Sequence, residues 1–132
     1  MKEFDASEFD ALRDKCSKTI QNVLDFLKTA AEHAGADVEQ PTFEVRGVGI
    51  TYWTRRKRFC RFDPKPQAGH VWALVPGAAR ASLERAGTVS KREDGPWVTI
   101  KNIRGAVRLV PAILEAYGAA NTRDSRRVPK KV

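Results

Sequence analysis

The sequence predicts an α+β domain: an antiparallel sheet of about five strands, with a long N-terminal helix and a C-terminal helix packed on one face. Three observations lead there. An apolar stripe with helical spacing fills the first quarter of the chain. A series of short β-branched and aromatic runs follows, joined by connections too short for parallel crossovers. A last alternating run, W-V-T-I-K, leads directly into a second helical stripe.

The N-terminal helix is expected over 6–34. Leu12, Cys16, Ile20, Val23, Leu27, Ala30 and Ala34 recur at spacings of three and four, which makes one continuous apolar face. Asp10, Asp14, Lys18, Asn22 and Asp25 take the other side. Ser7 is the expected N-cap and Gly35 the expected C-cap. Such a length invites a kink or break near Arg13. The stripe is read as the cover of a sheet rather than as a dimer face.

Residues 36–41 form a loop that ends at Pro41. Strands are expected over 42–46 and 49–54, split by the Gly47-Val48-Gly49 bend. In the second, Ile50 and Tyr52 share one face and Thr51 and Trp53 the other. Residues 55–57 turn the chain. A third strand over 58–63 puts Cys60 and Phe62 on one face and Phe59 and Arg61 on the other. Asp63-Pro64-Lys65-Pro66 is expected to end it, since proline donates nothing to a ladder. A fourth strand covers 69–75 and stops at Pro76-Gly77.

A short helix over 78–86 is anchored by Leu83. Residues 89–94 are polar and read as an edge strand or a loop, and Asp94-Gly95-Pro96 is a turn. The last strand covers 97–101. A final helix begins at Asn102 or a neighbour and runs to about 119, with Val107, Val110, Leu114 and Tyr117 as its stripe, Pro111 inside it and Gly118 as its stop. The organisation is thus a single domain over 1–119 and a basic tail over 120–132 that is expected to be disordered. With both long helices on one face of the sheet, the other face is free to meet solvent or a ligand.

The composition sets limits on function. Of 132 residues, 42% are hydrophobic and 30% charged, enough apolar material for a packed core. No apolar run approaches the roughly 20 residues of a membrane span. The acidic start (Glu3, Asp5, Glu8, Asp10) is unlike a signal or transit peptide, so a cytoplasmic location is expected and no membrane partner is. Net charge is +8, but residues 1–40 carry −4, residues 41–119 carry +8 and residues 120–132 carry +4. The basic part attracts polyanions.

Catalytic and cofactor signatures are missing. The sequence holds no phosphate-binding glycine loop, dinucleotide fingerprint or nucleophile elbow, and no cofactor is implied. Cys16 and Cys60 lack metal-ligand spacing and are read as buried apolar residues, and His33 and His70 lack ligating neighbours, so no metal is expected. A Cys60 nucleophile served by His70 is the one enzymatic arrangement that antiparallel strands would allow.

The strongest positive signal is T-Y-W-T-R-R-K-R-F-C-R-F at 51–62. Arg55, Arg56, Lys57, Arg58 and Arg61 suit phosphate, since guanidinium groups bind it in bidentate fashion. Arg126, Arg127, Lys130 and Lys131 of the tail would assist. Trp53, Phe59, Trp72 and Trp97 are the candidates for stacking on bases or lining a pocket. Two functions are expected from this: nucleic-acid binding through the basic hairpin or, as the alternative, binding of a small molecule or protein on the open sheet face. Alternation sends some of these aromatics inward, so the binding claim centres on residues 55–58.

A family resemblance adds to the fold expectation. R-F-C-R-F-D-P-K in the strand region and the closing P-W-V-T-I-K-N-I-R-G-A-V-R-L-V-P-A-I-L-E-A-Y carry it, with Trp97, Leu114, Ala116 and Tyr117 matching the closing pattern. Over roughly 42–119 the chain resembles small bacterial proteins of the YjbR/MmcQ and related "predicted transport protein" types. That resemblance implies a compact α+β domain, similar in some members to the frataxin-like topology and proposed to bind DNA through wings. The dense cluster at 55–58 and the basic tail depart from the pattern.

Overall fold

A computed structural model describes residues 6–34, 42–46, 49–54 and 57–130, and the side chains of 10–34, 49–54 and 57–120. The expected loop at 36–41, the Gly35 cap, the Gly47-Val48 bend, Arg55, Arg56 and Lys131 lie outside the described residues.

Two helices, α1 (Ala6–Asp14) and α2 (Lys18–Glu32), replace the single expected one. The break falls at Lys15-Cys16-Ser17, just past Arg13. Ser17 caps α2, its hydroxyl accepting from the Ile20 N–H at 3.3 Å, whereas Ser7 already lies inside the helix that starts at Ala6. The Gln21 amide donates to the Cys16 and Arg13 carbonyls. Arg13 reaches over the corner to grip Asp25 with two bonds of 2.8 and 2.9 Å. The apolar stripe survives the break: Cys16, Ile20, Val23, Leu24, Leu27 and Ala31 are all buried.

Six strands form one antiparallel sheet in the order β1-β2-β3-β4-β6-β5: β1 (Thr42–Arg46), β2 (Gly49–Trp53), β3 (Arg58–Lys65), β4 (His70–Leu74), β5 (Thr88–Arg92) and β6 (Gly95–Ile100). The polar run at 89–94 is therefore an edge strand, paired only with β6. Polar and basic residues suit such an edge, because they discourage pairing with another chain. β3 runs on through Pro64 to Lys65, past the expected stop. Pro64 pairs in register with Val71 of β4 and lies beyond the last β2 pair, Ile50↔Phe62, so its missing N–H is not needed there.

The helices cover one face. Ile50, Tyr52, Cys60, Phe62, Val71, Ala73, Val98 and Ile100 lie in register across the sheet and meet α2, α3 (Arg80–Ala86) and α4 (Ile103–Lys130). α3 and α4 are tied by Glu115, which accepts from the Ala79 N–H at 3.0 Å and the Ser82 hydroxyl at 2.9 Å. Gly105 lets them approach closely, since a Cβ there would stand 2.8 Å from the Ala86 carbonyl oxygen.

α4 starts where expected and departs from expectation in its buried face and its end. It starts after Asn102, whose side chain accepts from the Gly105 N–H. Its buried face is Ala106, Leu109, Ala112, Ile113, Ala116 and Ala120, one step round from the expected stripe, and Val107 and Leu114 are exposed. Small alanines face the sheet because the helix lies close to it and to α3, a preference that hydrophobicity alone does not reveal. Gly118 does not stop the helix, which continues to Lys130 through the segment expected to be disordered. Pro111 sits in its ninth position on the exposed side. There the Val107 carbonyl, deprived of its donor, is on the water side.

Candidate nucleic-acid interface

A β-bulge organises the hairpin. Tyr52 pairs with Cys60, but Trp53 pairs with Arg58, so Phe59 is the extra residue. The bulge turns both Phe59 and Cys60 toward the helices. Phe59 is 1% exposed and meets Tyr117 of α4 edge-on at 5.2 Å. Tyr52 completes the cluster, 6.4 Å from Phe59 and 6.0 Å from Phe62. Phe59 is thus unavailable for stacking on a base, because strict alternation fails at a bulge. The same slip puts Arg58 beside Trp53 on the outer face of the sheet.

Thr54 closes the turn. Its N–H donates to the Lys57 carbonyl at 2.7 Å, and its hydroxyl accepts from the Lys57 N–H at 3.1 Å. These bonds join the two ends of the connection between β2 and β3. Lys57 and Arg58 are half-buried at its exit.

Further along the outer face, Arg61 is held in place. Its Nε donates to Asp63 at 2.7 Å and its Nη1 to the Thr51 hydroxyl at 2.8 Å. The Arg61 and Asp63 side chains are only 18% and 11% exposed. Gly49 makes the room, since a Cβ there would collide with the Asp63 carboxylate. Arg61 is therefore committed to the sheet, and a phosphate would have to compete with a nearly buried carboxylate for it.

Trp72 on β4 is the centre of the outer face. Lys65 Nζ lies 4.7 Å from its ring centroid and Arg92 Cζ 5.0 Å. His70 lies nearly parallel to it, at 6.1 Å and 16°, and Trp97 is tilted at 6.2 Å and 57°. Trp97 itself is buried, and its Nε1 donates to Asp94 at 2.8 Å. With Leu74, its register partner, Trp97 forms a small apolar nucleus away from the helices, so this face is partly sealed rather than open. Trp53 is half-buried, and its Nε1 has no hydrogen-bond partner among the described residues.

The structure thus brings Trp53, Arg58, Arg61, Trp72 and Trp97 to one face and sends Phe59 to the other. It adds Lys65 and Arg92, which sequence reasoning missed. Lys65 was legible: it continues the alternation of Arg61 and Asp63, and only the assumed stop at the prolines hid it. Arg92 needed the pairing of β5 with β6. The tail residues Arg126, Arg127 and Lys130 belong to the continuation of α4, with side chains outside the described residues.

The Cys60–His70 arrangement fails. Cys60 is fully buried on the helix side, and burial pushes its thiol well above the ordinary range. His70 lies on the outer face opposite Lys65, five residues along β3 from Cys60, or about 17 Å. Burial lowers the His70 pKa, against an opposing backbone hydrogen bond at Ala68 and with help from Lys101 and Lys65. Among the described residues, no group of three or more His, Cys, Asp and Glu side chains could hold a metal ion, and no helix is long and apolar enough to cross a membrane.

No protein-family model matches the chain, and neither a curated protein nor a solved structure does.

Proposed function

We propose that the protein binds nucleic acid, with phosphates held by the cations of the β2–β3 hairpin and the adjoining outer face of the sheet. One observation carries this reading. Among the described strand side chains, Arg58, Arg61, Lys65 and Arg92 share that face with the carboxylate Asp63, which Arg61 already neutralises, while Asp94 of the β5–β6 turn is engaged by Trp97 Nε1. Arg58, Lys65 and Arg92 are left to act on an outside anion, together with Lys57 and with Arg55 and Arg56, which precede it in the sequence. The resemblance to YjbR/MmcQ-type domains points the same way, through the wings proposed for some of them.

Such binding is governed by release of condensed counterions. Six contacts, from Arg55, Arg56, Lys57, Arg58, Lys65 and Arg92, correspond to a slope of log affinity against log salt of about −4 to −5. Fluorescence anisotropy with mixed-sequence DNA and RNA at two salt concentrations measures it. Serine at 55–58 should abolish most binding at moderate salt. No binding at low salt, or an affinity indifferent to those substitutions, would refute the proposal.

A second reading, a small molecule or protein docked on the same face, is favoured by the Nε1 of Trp53, which has no hydrogen-bond partner among the described residues. It predicts salt-insensitive binding that depends on Trp53 and not on the arginines.

A further inference from the structure

The geometry points to one form of nucleic acid: we infer that the outer face takes an unpaired strand, with a base stacked on Trp72 in place of Lys65 or Arg92. This rests on the nucleic-acid reading above.

The position of Trp72 argues against a duplex. β4 is the fourth of six strands, with neighbours on both sides. Six strands spaced about 4.8 Å apart span about 24 Å, twice the roughly 12 Å width of a major groove. A two-stranded ribbon can enter a groove, but the middle of this sheet cannot. In a duplex, moreover, the faces of the bases are covered by their neighbours. A strand laid across the sheet has neither obstacle, and its bases can turn a face toward an indole.

The surroundings of Trp72 fit an exchange. The ends of two long, flexible side chains lie over the ring, Lys65 Nζ at 4.7 Å and Arg92 Cζ at 5.0 Å from its centroid. Arg92 is exposed and Lys65 half-buried. A stacked base is worth more than an exposed cation over the same ring. A displaced Lys65 or Arg92 is not lost to the complex, because its charge then lies within reach of the phosphate that arrives with the base. His70, stacked nearly parallel to Trp72, and the tilted, buried Trp97 also border the indole.

The test uses the full chain and three labelled probes: a short mixed-sequence single strand, its duplex, and an abasic strand of equal length. The single strand should bind tightest, by roughly 5- to 150-fold over the abasic strand, as expected for one stacked base. Trp72→Ala should remove that advantage and leave weak, salt-dependent binding of all three probes. Trp72→Phe, which keeps a ring, should retain most of it, and circular dichroism on both variants reports whether the sheet is intact. Equal binding of all three probes by the parent would overturn the inference and leave the nucleic-acid reading standing. So would a folded Trp72→Ala variant with undiminished preference. No binding of any probe at low salt would overturn both.

Discussion

Arg61 is the residue on which sequence and structure assign different roles, and its removal measures the difference. Arg61→Ala takes away a 2.7 Å charge-assisted bond to Asp63 and a 2.8 Å bond to Thr51. The Asp63 side chain is 11% exposed, so it regains little hydration. Losing a hydrogen bond to a charged group costs about 1.5–3 kcal/mol, and stranding a buried ion costs about 3–5 kcal/mol. The residual exposure of the pair favours the lower end, about 3 kcal/mol. With a urea m-value of about 2 kcal/mol/M, the unfolding midpoint should fall by about 1.5 M. The double variant Arg61→Met/Asp63→Asn should lose less than the two single changes together, by at least about 1 kcal/mol, because no charge is left stranded. In the nucleic-acid titration, Arg61→Met/Asp63→Asn should leave the salt slope unchanged, whereas Arg58→Ser should reduce it by about one contact. A midpoint for Arg61→Ala within about 0.25 M of the parent would refute the reasoning about burial.

Further outcomes follow from the same face and its reverse. Gly49→Ala should destabilise the fold by about 1–3 kcal/mol in urea unfolding, because the added methyl meets the Asp63 carboxylate, and an unchanged midpoint would contradict that contact. His70 has a lowered folded-state pKa, so below its ordinary value of 6.5 the unfolded chain takes up a proton that the folded chain resists. Its contribution to stability is therefore present above that pH and declines as the pH falls toward the folded value. The groups facing it, Lys65, Lys101 and Trp72, add no acid to reverse the sign. Thermal melts of the parent and of His70→Asn between pH 7.5 and 5 should converge as the pH drops, and parallel curves would rule the linkage out. Cys60 should resist iodoacetamide in the native protein and react once urea is added. Rapid native labelling, seen by mass spectrometry, would mean that β3 opens far more readily than its burial allows.

The class of fold and the placement of most elements were legible in local pattern alone. Period-two runs with short connections permit only antiparallel hairpins. The spacing of Ile20, Val23 and Leu27 places a helix over them whatever they pack against, and Ser17 could have been recognised as the cap before Lys18. The basic turn was legible because charge and turn chemistry are local properties.

The faces were settled by long-range packing. Alternation assigned Phe59 outward, but a one-residue bulge against Trp53 reversed it, and a bulge is visible only once two strands are in register. Which side of α4 faces the sheet depended on how closely α3 and α4 approach, so alanines won over Val107 and Leu114. Lys65, Trp72 and Arg92 come from three different strands and meet only because β5 folds back on β6. The hairpin announced its charge in the sequence. The aromatic and cationic surface beside it exists only after long-range pairing, because no local pattern encodes which strands lie side by side.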